Sequence, residues 1–347
     1  MRSTIEKVPN KLYIAHLELL LISEKAASED ILNTIDFFLR DNEGGNNFMI
    51  VISKDYTPQN ILSKLSAINP DPAKAICDSI KATYEYEGAS TDYLLYDTLD
   101  MILNKKRTVV VASISLDNHE DDKDNKKEDE KTQENSSQDK PSEPQDKGST
   151  KNNDSGGGSS SNEEQASTNN FKVTELAYFE DGKLKGYLEK NDALIYNLLQ
   201  NRLKSSVLSI GDDKELIALE VTNAKAKLKP KFENDNFVID IDVSVEGNIT
   251  ETGKNIRENM NNNYKDYISK IEDIIKGKIE DAVDNYKYKY KEDIVGFEDF
   301  IYKKLNKKYK EVESDFKEKY FENISVNVKV KVEFPLEGGD MIDGTSI

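Results

Sequence analysis

Apolar and polar positions alternate with two different periods along this chain, and the switches between them mark its elements. Residues 254–333 show this best. Apolar residues recur in steps of three and four through Met260, Tyr264, Ile268, Ile271, Ile275, Ile279, Ala282, Tyr286 and Tyr290, with Lys, Glu and Asp between them. That spacing predicts a long amphipathic helix, broken at Asp293-Ile-Val-Gly-Phe297 and followed by a second helical stretch. Period two then takes over. Ile324, Val326, Val328, Val330 and Val332 predict a closing strand, as Phe237, Ile239, Ile241, Val243 and Val245 do ahead of the helix.

The striped helix needs a cover, and the β-rich stretch 171–250 supplies one. Within that stretch Asp181-Gly182 separates two apolar runs, which predicts a hairpin through a type I′ turn. A helix is expected from Asn191 to about Asn201, then strands over 207–210, 216–221 and 224–232. The second half is therefore read as α+β, an antiparallel sheet covered by a long helix.

Before residue 117 strands and helices alternate. A strand is expected over 11–23, and a helix opening at Ser28 or Glu29 carries Ile31, Leu32, Ile35, Phe38 and Leu39. A strand over 48–52 follows, then a helix with Thr57 as N-cap and Pro58 as its first residue. Further helices are expected over 72–84 and after Ser90 or Thr91, and 108–114 is a β-branched strand. This alternation predicts an α/β layer with parallel pairing. From 117 to 170 the pattern disappears. The stretch has no Val, Ile, Leu, Met, Phe, Tyr or Trp, and its 15 acids against 7 lysines supply −8 of the chain's net charge of −18. Lacking apolar surface to offset chain entropy, it is expected to act as a disordered linker. The division is thus 1–116, an N-terminal α/β domain; 117–170, the linker; and 171–347, the C-terminal domain.

The charge balance narrows the function. An acidic chain with no basic stripe is a poor nucleic-acid partner, and no membrane contact is expected from net positive charge. Cys77 is the only cysteine, which excludes an intrachain disulfide and reads as a buried structural thiol. The N-terminus shows no signal peptide, and no apolar run approaches the ~20 residues of a membrane span. Of the two histidines, His119 falls in the linker and His16 in a strand. No dinucleotide, phosphate-loop, zinc-protease or serine-hydrolase motif occurs. Acid pairs such as Glu272/Asp273 and Glu280/Asp281 lie on the exposed face of the long helix. The Tyr286-Lys-Tyr-Lys-Tyr290 run continues the helix stripe and reads as core packing rather than base stacking. No catalytic, cofactor-binding or metal residue is named, and no enzyme activity is expected.

Several segments, in order, resemble the C subunit of bacterial spore germinant receptors, the Ger(x)C family. Phe179-Glu-Asp-Gly-Lys-Leu-Lys-Gly-Tyr-Leu188 is similar to its opening signature, and Lys291-Glu-Asp-Ile-Val-Gly-Phe297 to its D-I/V-x-G-F hallmark. Ser205-Ser-Val-Leu-Ser-Ile210, Val245-Glu-Gly-Asn-Ile249 and Phe316-Lys-Glu-Lys-Tyr-Phe321 follow the family's order, as do Leu12-Tyr-Ile-Ala-His-Leu17 and Asp36-Phe-Phe-Leu-Arg-Asp41 in the first half. Gly186 and Gly296 read as a bulge or close approach and as a helix break. The resemblance implies a non-enzymatic receptor subunit on the outer face of the spore inner membrane. There it would assemble with integral-membrane A and B subunits to trigger germination, with no nucleic-acid partner and no cofactor. Family members usually carry a signal peptide and a lipidated cysteine, so this chain is expected to be an N-terminally shortened or unanchored form. The alternative is a soluble scaffold or solute-binding protein outside any receptor. A hydrolase with a composite carboxylate site is disfavoured by the missing motifs.

Overall fold

The computed structural model describes residues 17–40, 47–66, 69–116, 171–173, 175–210, 217–252, 264–335 and 341–342. The first part runs β1 (Leu19–Ser23), α1 (Glu24–Glu29), α2 (Ile31–Arg40), β2 (Met49–Ser53), α3 (Pro58–Ser66), α4 (Pro72–Ala82), α5 (Leu95–Leu103) and β3 (Val109–Leu116). β1, β2 and β3 pair in parallel. Every residue of β2 and β3 is buried, as strands covered on both faces require.

Two helix starts differ from expectation, and a local carboxylate explains each. Ser23 caps the short α1, its Oγ accepting the Ala26 N–H at 3.3 Å. Asp30 then adopts extended backbone and restarts the helix: its Oδ1 accepts the Leu32 N–H at 2.8 Å. The helix expected to open at Ser28 or Glu29 is therefore two helices hinged at Asp30. Likewise α5 begins at Leu95 rather than after Ser90 or Thr91, because Asp97 accepts the Leu94 N–H at 3.0 Å. Ser90 and Thr91 are instead buried in the loop that leaves Gly88.

β4 (Phe171–Val173), β5 (Leu176–Glu180) and β6 (Lys183–Leu188) follow. The Asp181-Gly182 turn has positive φ at both residues (50° and 77°), as the type I′ hairpin demands. β4 and β5 pair antiparallel to β3, so these strands complete the first sheet in the order β1-β2-β3-β5-β6, with β4 beside β3.

The remainder is α6 (Lys190–Leu199), β7 (Ser206–Ile210), β8 (Ile217–Glu233), β9 (Asn236–Thr252), α7 (Tyr264–Asp284, continued by a wider turn through Tyr290), α8 (Phe297–Lys304), α9 (Asn306–Val312), β10 (Ser325–Pro335) and β11 (Met341–Ile342). The second sheet has the order β11-β10-β9-β8-β7. The strands expected over 216–221 and 224–232 are one long strand, irregular between Val221 and Asn223. Opposite that irregularity sits Gly247, where a Cβ would come within 2.5 Å of the Glu220 carbonyl oxygen. β10 runs parallel to β9, because the intervening helices carry the chain back to the same end before it re-enters the sheet. The sheet is thus mixed, with one parallel pair in an otherwise antiparallel ladder.

α7 covers the inner face of this sheet with Ile268, Ile271, Ile275, Ile279 and Val283, all buried. The same hydrophobic cluster reaches from Ile22 and Ile52 of the first sheet through α6 to Ile241 and Val332 of the second. A smaller cluster around Met49, Val51, Ile61 and Cys77 fills the other side of the first sheet. The outer face of the second sheet is exposed and strongly patterned. Lys225, Lys227, Lys229 and Lys231 point outward from β8, and Lys329 and Lys331 from β10. The expectation of no basic stripe is corrected here: net charge averages over the chain, whereas strand alternation sorts lysines onto one face.

Candidate functional site: the seam between the two sheets

α6 is the element both halves share, with eight of its ten residues buried. Its C-terminal half grips the first sheet's loop at residues 88–93. Asn197 Nδ2 donates to the carbonyls of Gly88 and Ser90 at 2.8 and 2.6 Å, and the Tyr196 and Tyr93 hydroxyls meet at 2.9 Å. Just beyond the helix, Arg202 lies over the Tyr93 ring at 4.4 Å and pairs with Asp92 at 2.5 Å. The Tyr84 hydroxyl donates to the Arg202 carbonyl at 2.6 Å. Gly88 permits this approach: its φ is 65°, and a Cβ there would stand 2.3 Å from Leu203 Cδ1. At the other end of α6, buried Asp192 accepts the Tyr290 hydroxyl at 2.6 Å, and its carbonyl accepts the Tyr286 hydroxyl, also at 2.6 Å. Buried Tyr286 and half-buried Tyr290 therefore pack on the core and tie α7 to α6, as the stripe predicted, while Tyr288 between them is exposed.

The turn 291–297 forms the second half of the seam. Lys291 closes the long helix in the left-handed conformation (φ 55°), and the chain turns into α8 around Asp293. Asp293 Oδ1 accepts the N–H groups of Gly296 and Phe297 at 3.0 and 2.8 Å, and Oδ2 accepts that of Glu298 at 2.7 Å. One carboxylate thus satisfies three donors at a helix N-terminus. Gly296 holds φ 79°, a conformation L side chains adopt only with strain, and packs against Arg107 and the Lys106 carbonyl of the first part. Ile294, Val295 and Phe297 enter the core. Burial pushes Asp293 up to about 7, against the pull of its three backbone donors.

Charged groups line the cleft of about 160 Å³ beside this turn. Lys317 bridges Glu292 at 3.0 Å and also Glu180 of β5, which Lys185 approaches at 2.7 Å. Burial and the neighbouring Glu180 carboxylate push Glu292 up to about 7, whereas Lys185 and Lys317 hold Glu180 well below the usual carboxylate range. Across the cleft Lys106 pairs with Glu313 at 2.8 Å and sits over the Tyr302 and Tyr309 rings, both at 5.0 Å. Asn104 donates to Asp299 at 3.2 Å. The Lys317–Glu180, Lys106–Glu313 and Asn104–Asp299 contacts join the first sheet's elements to the helical layer of the second.

The sequence named no catalytic, cofactor or metal residue. Among the described residues no group of three or more His, Cys, Asp or Glu is placed to hold a metal ion. His16 and His119 lie outside the described residues. Cys77 is buried, which raises its thiol to about 11 and keeps it protonated. The Glu180–Lys317–Glu292 cluster and the Arg202 stack were not legible beforehand, since their partners lie 137 and 110 residues apart.

Residues 174–334 match the family described as spore germination B3/GerAC like, C-terminal. Residues 1–116 match the family described as spore germination protein N-terminal domain. This chain belongs to the Ger(x)C family of spore germination proteins. Spore germination protein KC of Bacillus subtilis (strain 168) is 23% identical over 347 residues, covering 95% of this chain and 74% of that protein. The crystal structure of the GerBC protein shares the fold, with a TM-score of 0.61 at 15% identity over 94% of this chain and 81% of that one. The hallmark segments of this Ger(x)C chain can now be given physical roles. The 179–188 segment is the hairpin that closes the first sheet, and Gly186 lets the Tyr178 ring lie where a Cβ would come within 3.1 Å of it. The 291–297 segment is the capped turn at the seam. Val245–Ile249 spans the place where β9 accommodates the irregularity of β8.

Proposed function

We propose that this chain is a non-enzymatic C subunit of a nutrient germinant receptor, which assembles with integral-membrane A and B subunits at the outer face of the spore inner membrane. Its work is scaffolding. The observation that carries this reading is where the family's hallmark segments lie: 179–188 is the hairpin that closes the first sheet, and 291–297 is the capped turn at the seam. Asp293, the most distinctive acid among them, spends its oxygens on three backbone donors. A fold organised around an internal weld suits a component that presents fixed surfaces to partners. The division into 1–116, a spacer over 117–170, and 171–347 belongs to the same proposal.

No helix among the described residues is long and apolar enough to cross a membrane, so membrane subunits supply the spanning elements in this account. Detergent extracts of spore inner membrane containing the tagged full chain test the assembly. Recovery of A- and B-type membrane subunits with the tag is expected. A chain recovered without them would favour the soluble scaffold or solute-binding alternative.

A further inference from the structure

The outer face of the second sheet is the molecule's clearest departure from its own acidity. In the central rows of β8, β9 and β10, six lysines face two carboxylates, Asp240 and Asp242. The register is regular: Lys225 lies level with Ser244 and Lys331, Lys227 with Asp242 and Lys329, and Lys229 with Asp240 and Asn327. Lysines repeat about every 7 Å along a strand, and the β8 and β10 rows stand roughly 10 Å apart. Lys229 pairs with Asp242 at 2.7 Å, Lys231 with Asp240 at 2.6 Å and Lys331 with Glu333 at 2.8 Å. Lys225, Lys227 and Lys329 have no ion pair among the described residues. Glu233 at one end and Glu246 and Glu333 at the other bound the patch. All six lysines are exposed, while the opposite face of the same strands is buried under α6, α7 and α8.

On this face the lysine rows of β8 and β10 flank only Asp240 and Asp242 of β9. Lys225, Lys227 and Lys329 have no ion pair among the described residues, so the centre of the face keeps an excess of positive charge that an anion can cover. The form of the patch says which anion. It is an open sheet face whose central side chains are exposed or half-buried. It has no arginine to grip phosphate bidentately and no central aromatic for bases to stack on, so nucleic acid is a poor fit. Protein interfaces deplete lysine and rely on buried aromatic or arginine anchors, which are also missing from these rows. A layer of lipid headgroups needs neither, only several ammonium groups on long stems that reach a common plane.

We propose that the Lys225–Lys231 row of β8, with Lys329 and Lys331 of β10, is a docking face for an anionic lipid surface, holding the second sheet flat against the bilayer. This goes beyond the receptor reading, because it concerns the lipid itself and is tested with no other protein present. The full chain is mixed with vesicles of phosphatidylglycerol and phosphatidylcholine, or of phosphatidylcholine alone, and sedimented. Binding only to the anionic vesicles, fading as salt is raised, is expected. Substituting Lys225→Gln, Lys227→Gln, Lys229→Gln and Lys329→Gln together weakens binding by at least about tenfold. The same charge change made elsewhere, at the exposed Lys25, Lys81, Lys172 and Lys183, leaves binding as it was. A second readout keeps the native lysines: an environment-sensitive dye on Asn327→Cys shifts to the blue on anionic vesicles, the native Cys77 being buried. No sedimentation with anionic vesicles, equal loss in the two lysine sets, or an unmoved dye would each overturn the proposal. Binding to polyglutamate with none to vesicles would show that the face reads an acidic polypeptide instead.

Discussion

Asp293 and Gly296 show at the scale of single residues why the 291–297 segment tolerates little change. Replacing Asp293 with Ala strips a helix N-terminus of its acceptor for three N–H groups, and such caps contribute about 1–2 kcal/mol. The expected result is a melting temperature lowered by several degrees, read by circular dichroism. Gly296→Ala forces an L side chain into φ 79° and is expected to cost about 1–2 kcal/mol through backbone strain rather than a clash, because the space beside Gly296 is open to 3.6 Å. A Gly296→Ala protein as stable as the parent would refute the strain argument. Glu292 makes a prediction about pH. Its folded pKa of about 7 lies above its ordinary value, so the folded state binds the proton more tightly. The stability it contributes is complete below the ordinary carboxylate range and is lost as pH rises through 7. Glu180 is shifted the other way, so its contribution is present at neutral pH and lost only in strong acid. Buried Asp293, also raised to about 7, contributes with the same sign as Glu292, so the melting temperature should fall between pH 5 and pH 8. Glu292→Gln should make that slope shallower while leaving the part due to Asp293. An unchanged slope in the variant would place the titration elsewhere.

At the scale of elements, what was legible in the sequence is what local chemistry decides. Asp181-Gly182 predicted its hairpin because positive φ at both turn positions is a property of those two residues. β9 and β10 declared their buried faces by alternation, and the Tyr286/Tyr290 pair continued the stripe of α7 into the core. Asp30 and Asp97 shifted two helix starts because a side-chain oxygen competes for N–H groups that a hydrophobic pattern cannot see. What could not be read depends on pairing between distant segments. No local signal says that residues 171–188 finish the first sheet, or that β10 lies parallel to β9. The lysine face was hidden for another reason: a whole-chain charge of −18 conceals the row that period two assembles. α6 offers the test at this scale. Tyr196→Phe removes the hydroxyl contact with Tyr93 and is expected to cost about 1 kcal/mol with the fold intact. Asn197→Ala leaves the Gly88 and Ser90 carbonyls unsatisfied in a buried seam and should cost more, about 1–3 kcal/mol. Chemical denaturation of both variants measures the order. Tyr196→Phe as the more damaging change would contradict the assignment of Asn197 as the clasp.

At the scale of the whole molecule, the two sheets share one hydrophobic cluster and a polar seam, so the described parts are joined through α6 and the 291–297 turn rather than merely adjacent. The central claim is that this weld serves a receptor subunit in germination. Release of dipicolinic acid from spores lacking the gene tests it most directly, with nutrient mixtures in one arm and a receptor-independent cationic surfactant in the other. The account predicts that the nutrient response is lost, that the surfactant response is kept, and that the intact gene restores the first. Spores that answer every nutrient as the parent does, or that fail equally in both arms, would contradict it.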